Sequence, residues 1–360
     1  MKDFAIQLQL FTKCNLACDF CIEKDYRTPY IDKDFIRSIP EGIIKNYGHI
    51  LKDLDAVYIN SCGGEVFMDD LDDDFWNDIY PELINKTNIL LNENFPNIKK
   101  IQWGWMSNMV FNADTRVKVE RLLRRTKSRL TTSYDPIGRF KVMQQKANWL
   151  YNTNYFADYI DSITVTLTRP GILALVDNDY TFNYINDNIK VDISYYVAST
   201  KDYKYYVPDD ALVYEFFKYF VDNGIFNCIQ VASLFYTLTD PRRVKPYCDC
   251  IDNNWYTGTD VMNNTCYTDI TDESHYKDDH WKAIKDKPFE QRKTFTNNIR
   301  GCTYCEYNGS CQKMCYTMIN TKGYNLSKEC PLKKIYEYIK ANPELIEKWR
   351  NFNEKHALCN

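Results

Sequence analysis

The sequence predicts an α/β fold: a partial barrel of parallel strands, then a small irregular region, then a C-terminal helix. Three observations predict it. Strand and helix patterns alternate about six times in the first two thirds of the chain. The alternation stops after about Ala232, where cysteines begin to crowd. An amphipathic run resumes near Pro331. These divide the 360 residues into a barrel over 1–232, a cysteine-rich domain over 233–331 and a helical segment over 332–360.

The strands are expected at 4–10, 56–60, 101–106, 130–134, 163–168 and 189–197. Each is short, apolar or β-branched, and bounded by polar or turn residues. Gln7 and Gln9 alternate with apolar neighbours in the first, which suits a half-buried strand and not a secretory signal. Helices are expected at 32–52, 73–92, 115–125, 140–155 and 209–222. The last carries Leu212, Phe216, Tyr219 and Phe220 at helical spacing. Strands alternating with helices pair in parallel and close into a (β/α) barrel, whose chemistry lies at the carboxyl ends of the strands. The segment over 240–330 has few periodic runs and needs metal to fold. After Pro331, Leu332, Ile335, Tyr336 and Ile339 share one face, and Pro343 interrupts the helix.

Charge and cysteine usage narrow the function. Lys and Arg number 45 and Asp and Glu 49, a net −4 that argues against duplex DNA or an anionic membrane as main partner. No apolar run approaches the length of a membrane span. There are 14 cysteines. Three lie at 14, 18 and 21, and eight between 248 and 330. Clusters of that kind in a chain without a signal peptide read as metal ligands in a reducing, cytoplasmic setting.

Cys14-x3-Cys18-x2-Cys21 offers three thiolates from one loop after the first strand. A [4Fe–4S] cubane held by three thiolates keeps one iron without a protein ligand, where a substrate or cofactor can bind. The competing reading is a structural zinc with a fourth ligand elsewhere; zinc modules more often present ligands in pairs. Phe20 supplies a ring that could shield such a cluster. Gly63-Gly64-Glu65 follow the second strand, Ser107-Asn108 the third and Ser133-Tyr134-Asp135 the fourth. Taken alone, Gly63-Gly64-Glu65 also reads as a plain turn and Arg139 as a solvated loop residue.

The run Cys14 to Cys21, with Asn15, Leu16, Ala17, Asp19 and Phe20 between, resembles the signature of the radical S-adenosylmethionine (radical SAM) enzymes. The resemblance implies a partial (β/α)6 barrel. It also implies a cluster whose open iron is chelated by SAM, and cleavage of SAM to a 5′-deoxyadenosyl radical that abstracts hydrogen. Gly63-Gly64-Glu65 is similar to the family's Gly-Gly-Glu motif, which makes Glu65 an acceptor for the SAM ammonium. Ser133, Asp135 and Arg139 resemble its fourth-strand segment, with Ser133 and Arg139 on the SAM carboxylate. Ser107-Asn108-Met109 stands where many relatives have Thr-Asn-Gly.

Cys302-x2-Cys305-x5-Cys311-x3-Cys315, then Cys330, resembles the SPASM domain of one radical SAM subfamily. By position, Cys302, Cys305, Cys311 and Cys330 would hold an outer auxiliary [4Fe–4S] cluster. Cys315 would join Cys248, Cys250 and Cys266 on an inner one, making three clusters with the SAM site. Val261 stands where the family has glycine, and the tight Cys248-x-Cys250 pair leaves open whether both ligate. A zinc ribbon remains the alternative for this region. Cys62, Cys228 and Cys359 are left over, with Cys62 beside the SAM motif as a candidate hydrogen-atom donor. Tyr134 and Asp135 are candidate proton acceptors by strand-end position.

The resemblance implies a peptide or protein substrate, most simply in a maturase of a ribosomally made peptide. It also implies a low-potential electron donor such as flavodoxin or ferredoxin. With the barrel beginning near residue 4, either a separate leader-peptide-binding protein presents the substrate or the barrel mouth binds it directly; nucleic acid and membrane are not expected partners. The alternatives are an anaerobic sulfatase-maturing enzyme, a small-alcohol radical dehydrogenase, or a zinc- or Fe–S-structured binding or electron-transfer module. Glu23 and Tyr267 depart from the tyrosine and aspartate usual in sulfatase-maturing enzymes.

Overall fold

The structure is a computed structural model. It describes residues 2–21, 27–195, 203–244, 253–256, 261–262, 291, 294, 297–315 and 329–356. In chain order the elements begin β1 (Asp3–Gln9), α1 (Lys33–Leu51), β2 (Ala56–Cys62), α2 (Tyr80–Asn94), β3 (Lys100–Met106), α3 (Ala113–Thr126), β4 (Arg129–Tyr134) and α4 (Met143–Tyr155). Next come β5 (Ile160–Leu167), α5 (Arg169–Asn178), β6 (Lys190–Tyr195), α6 (Tyr203–Tyr206), α7 (Asp210–Asp222) and α8 (Ile229–Thr239). The last four are β7 (Asn253–Tyr256), β8 (Val261–Met262), α9 (Pro331–Ala341) and α10 (Pro343–His356). The six strands β1 to β6 run parallel with helical crossovers and form a curled half-barrel, as expected. The sheet order is β6-β5-β4-β3-β2-β1-β7-β8.

The first of two compact units comprises Met1–Ser133, Phe140–Ser162 and Cys250–Ile270. Its strands are laid in register, Gln9 opposite Cys62 and Ser61 opposite Trp105, so the ends of β1, β2 and β3 come out together. Helix α1 is capped by Asp32, which accepts the Phe35 N–H. It buries Ile36, Ile39, Ile43, Tyr47 and Leu51, the three-and-four spacing of one helical face. Helix α2 begins later than its pattern suggested. A wide turn over Phe75–Ile79 precedes it, with Tyr80 N–H bonded to Phe75 O. There Phe67, Trp76, Tyr80 and Trp105 pack ring against ring.

The second unit comprises Tyr134–Arg139, Ile163–Asp249 and Thr271–Asn360. Its helix α8 runs to Thr239, past the point where the sequence pattern fades, because Leu234 and Phe235 stay buried. Phe235 stacks on Trp349 of α10 at 5.3 Å between ring centroids. Helices α5, α6 and α8 and strands β7 and β8 were not expected. Helix α5 is started by Thr168, whose hydroxyl accepts the Gly171 N–H, and by an early Pro170. Strands β7 and β8 lie within the region read as irregular. Asn253 to Tyr256 show no alternation; β7 exists because it pairs in parallel with Ala5 to Leu8 of β1.

Among the described residues no helix is long and apolar enough to cross a membrane.

Candidate active site

Strand β1 leads straight into the cysteine loop, and the glycine pair after β2 packs against that exit. Leu10 N–H donates to Cys62 O at 3.3 Å, and Glu65 N–H to Lys13 O at 2.8 Å. Gly63 and Gly64 both have positive φ, +86° and +55°. A Cβ on Gly64 would lie 2.0 Å from the Lys13 carbonyl oxygen, and one on Gly63 2.6 Å from Gln9 Cγ. Glycine is required here by protein packing protein. Cys62 ends β2 with its thiol donating to Leu8 O at 3.3 Å.

Glu65, fully buried, ties this turn to the end of β3. Its Oε1 accepts from Ser107 Oγ at 2.7 Å and Phe67 N–H at 2.8 Å, and its Oε2 from Asn108 N–H at 2.5 Å. Asn108 carries the connection onward. Its Nδ2 donates to Asn15 Oδ1 at 2.7 Å, and Asn15 Nδ2 donates to Val110 O at 2.7 Å. The same Nδ2 reaches Cys14 Sγ at 3.9 Å. Met109 adopts φ +57°, the conformation glycine takes freely. The loop it sits in is held from behind by buried Asn152 on α4, which donates to Met109 O and Phe111 O and accepts from Arg116.

The cysteine loop itself is partly buried, with Cys18 inside and Cys14 and Cys21 half-exposed. Cys21 N–H donates to Cys18 O at 3.3 Å, and Leu16 N–H to Cys14 Sγ at 3.4 Å. Burial, seconded by the Glu65 carboxylate, pushes the Cys14 thiol up to about 12. Arg27 lies against this loop. Its Nη1 donates to Leu16 O. Partial burial works against its charge, but a hydrogen bond to Cys21 and the proximity of Cys14 and Cys18 outweigh this and raise its pKa. Three thiols gathered beside one cation fit the donor set of a three-thiolate iron–sulfur site. Among the described residues no three His, Cys, Asp or Glu are close enough to hold a single metal ion. Phe20 is buried at the loop's end. Asn15, Arg27 and Asn152 were missed in the sequence; Asn15 lies inside the motif and was discernible, while the other two carry no local signal.

Ser133 ends the first unit half-buried on β4. In the second unit Tyr134 is fully buried. Its hydroxyl donates to Asp179 Oδ2 and lies 2.8 Å from the Thr181 hydroxyl, which donates to it. Burial and Asp179 raise its pKa far above the usual range. Asp135, also fully buried, accepts from Arg139 Nε at 2.8 Å and Thr166 N–H at 3.2 Å. Arg139 is 8% exposed, so the solvated-loop reading fails. Burial raises the Asp135 carboxyl, and Arg139 opposes that shift. Asp135 thus orients a guanidinium, and Tyr134 is engaged by Asp179.

The second cysteine set also assembles in this unit. Cys302 lies close enough to interact electrostatically with Cys330 and Cys305, and Cys311 with Cys330; burial chiefly raises Cys302 and Cys311. Cys315 is buried. Cys228, by contrast, sits wholly in the core at the start of α8, its thiol pushed up to about 12 by burial. Cys248, Cys250, Cys266 and Cys359, with Glu23 and Tyr267, lie outside the described residues.

This half-barrel, with a three-cysteine loop at the end of β1, has the fold of solved structures of anSMEcpe. Among solved structures it is similar to native anSMEcpe with bound AdoMet (TM-score 0.58, 14% identity, 97% of this chain and 100% of that one). It is equally similar to native anSMEcpe with bound AdoMet and Cp18Cys peptide (TM-score 0.58, 13% identity, 97% and 99%). Streptococcus suis SuiB bound to S-adenosylmethionine aligns with a TM-score of 0.43 at 14% identity, over 91% of this chain and 76% of that one. No family model and no curated protein matches the sequence.

Proposed function

We propose that the chain is a radical SAM enzyme that reductively cleaves S-adenosylmethionine and removes a hydrogen atom from a side chain of a peptide or protein. One observation carries the reading. The three-cysteine loop is bonded, through Asn15 and Asn108, to a buried Glu65 at the strand ends of a half-barrel. Cys14, Cys18 and Cys21 would hold a [4Fe–4S] cluster with one iron left for SAM, which supplies a 5′-deoxyadenosyl radical when bound and reduced.

The protein's own residues do the rest. Glu65 supplies buried negative charge suited to the methionyl ammonium and keeps the Ser107-Asn108 turn in place. Asp135 aligns Arg139, whose fork suits a carboxylate. Cys302, Cys305, Cys311 and Cys330 would hold an outer auxiliary cluster, and Cys315 with Cys248, Cys250 and Cys266 an inner one, three in all. Cys62 bonds to a backbone carbonyl, which favours a structural thiol over a hydrogen-atom donor.

A peptide substrate is favoured because a structure of this fold was solved with the Cp18Cys peptide bound. A ribosomal-peptide maturase is the leading form. Glu23 and Tyr267 speak against sulfatase maturation. A flavodoxin or ferredoxin would supply the electron in the cytoplasm, and a leader-binding protein would present the peptide.

Anaerobic reconstitution is expected to give about twelve irons per chain from three cubanes. SAM with reductant should release 5′-deoxyadenosine, and Cys14→Ala should abolish that release. Iron near zero with stoichiometric zinc would overturn the reading in favour of a binding module.

A further inference from the structure

We propose that Tyr336 and Arg300 set the reduction potential of the outer auxiliary cluster, Tyr336 through a hydrogen bond to the Cys311 sulfur and Arg300 through a buried positive charge beside Cys302 and Cys330. The inference rests on the reading of Cys302, Cys305, Cys311 and Cys330 as cluster ligands.

Tyr336 stands on α9 with 1% of its surface exposed. Its hydroxyl lies 3.3 Å from Cys311 Sγ and donates to it. The Lys313 N–H donates to the same sulfur at 3.3 Å. Lys313 itself takes φ +65°. The ring is fixed on its other side by Tyr307, 4.6 Å between centroids. The phenol is therefore held against the sulfur by packing from both the helix and the cysteine loop.

Arg300 precedes Cys302 by two residues. Its Nη1 and Nη2 donate to the two carboxylate oxygens of Asp210 on α7, each at 2.7 Å. Both side chains are nearly sealed, 3% and 2% exposed. A fork of this kind holds the guanidinium at a fixed place and charge. Cys330 and Cys302 both interact with it electrostatically. Holding the loop on α7 would not by itself require an arginine; a buried apolar contact is often at least as stabilising as a buried ion pair.

Hydrogen bonds to the sulfurs, net charge and exposure to solvent are what the protein uses to tune such a cluster. Two donors on one thiolate and a sealed cation near two others all favour the reduced, more negative form. They act together to raise the potential. Tyr336 and Arg300 are positioning residues in this sense, since neither is itself a ligand.

The test is a potentiometric titration of the reconstituted holoprotein followed by electron paramagnetic resonance. The outer signal is the one lost in Cys302→Ala. Tyr336→Phe, which deletes one oxygen and keeps the packing, is expected to move that midpoint to more negative potential at unchanged iron content. Asp210→Asn combined with Arg300→Gln removes the cation without stranding a buried charge, and is expected to move it the same way. Arg300→Lys keeps the charge and should restore most of the wild-type value. Unmoved midpoints in both Tyr336→Phe and the double variant, with iron retained, would overturn the proposal alone. A wild-type chain that takes up no iron dependent on Cys302 would overturn the ligand reading beneath it.

Discussion

Ser107 and Glu65 stand at the ends of adjacent strands, and the serine hydroxyl donates to the buried carboxylate at 2.7 Å. That bond joins the glycine turn after β2 to the turn after β3. Asn108 then extends it to the cysteine loop after β1. Three strand ends are thereby coupled through one fully buried glutamate.

Glu65→Gln tests the coupling. The amide keeps the shape but turns one acceptor into a donor facing the Asn108 N–H or the Ser107 hydroxyl. Losing a charge-assisted bond costs about 1.5–3 kcal/mol. Chemical denaturation should show that loss, and 5′-deoxyadenosine release should fall at least about tenfold, the factor that 1.4 kcal/mol represents.

Gly64→Ala tests the contact between the glycine turn and the cysteine loop. The new Cβ would meet Lys13 O at 2.0 Å, and the backbone at φ +55° disfavours any side chain by about 1–2 kcal/mol. The loop must shift. Iron content is expected to fall by about four per chain, the share of one cubane, while the cysteines of the second unit keep theirs.

Met109→Gly weighs two opposed effects. Glycine relieves the left-handed backbone, worth about 1–2 kcal/mol. It also removes a fully buried side chain, worth about 1.5–3 kcal/mol. Burial is the larger, so the variant is expected to be less stable than wild type by thermal unfolding. A more stable variant would show that strain dominates.

Asp135→Asn carries a pH signature. Burial raises the Asp135 carboxyl above its usual range, against the pull of Arg139. Between the ordinary and the raised value the folded chain binds a proton that the unfolded chain does not. Stability from this group therefore grows as pH falls through that window. The melting-temperature difference between wild type and Asp135→Asn should shift toward the wild type as pH is lowered. A constant difference would mean Arg139 keeps the carboxylate ionised throughout.

Cys228→Ala separates core thiols from ligands. Its sulfur is buried at the start of α8. Iron content should stay at the wild-type level, whereas Cys311→Ala should lose about four irons. Equal losses would place Cys228 among the ligands.

Much of the barrel was legible because its signals are local. Strand alternation, the Asp32 cap and the apolar stripe of α1 all lie within a few residues of one another. Strand β7 was not legible, since only its partner β1 makes it a strand. In the site, the motif residues could be named in advance, but their bonds could not. Nothing near Glu65 in sequence announces Ser107 or Asn108, and nothing near Cys21 announces that Arg27 turns back onto it.

By itself the sequence determined which chemistry-bearing side chains exist and on which strand ends they fall, because cysteine spacing and hydrophobic period are short-range properties. Tertiary structure alone decided what those side chains do to one another. Gly64 serves the backbone of Lys13, Asp135 serves Arg139, and Tyr336 reaches Cys311. The physical reason is that a hydrogen bond forms only at about 3 Å, a distance set by packing between segments far apart along the chain.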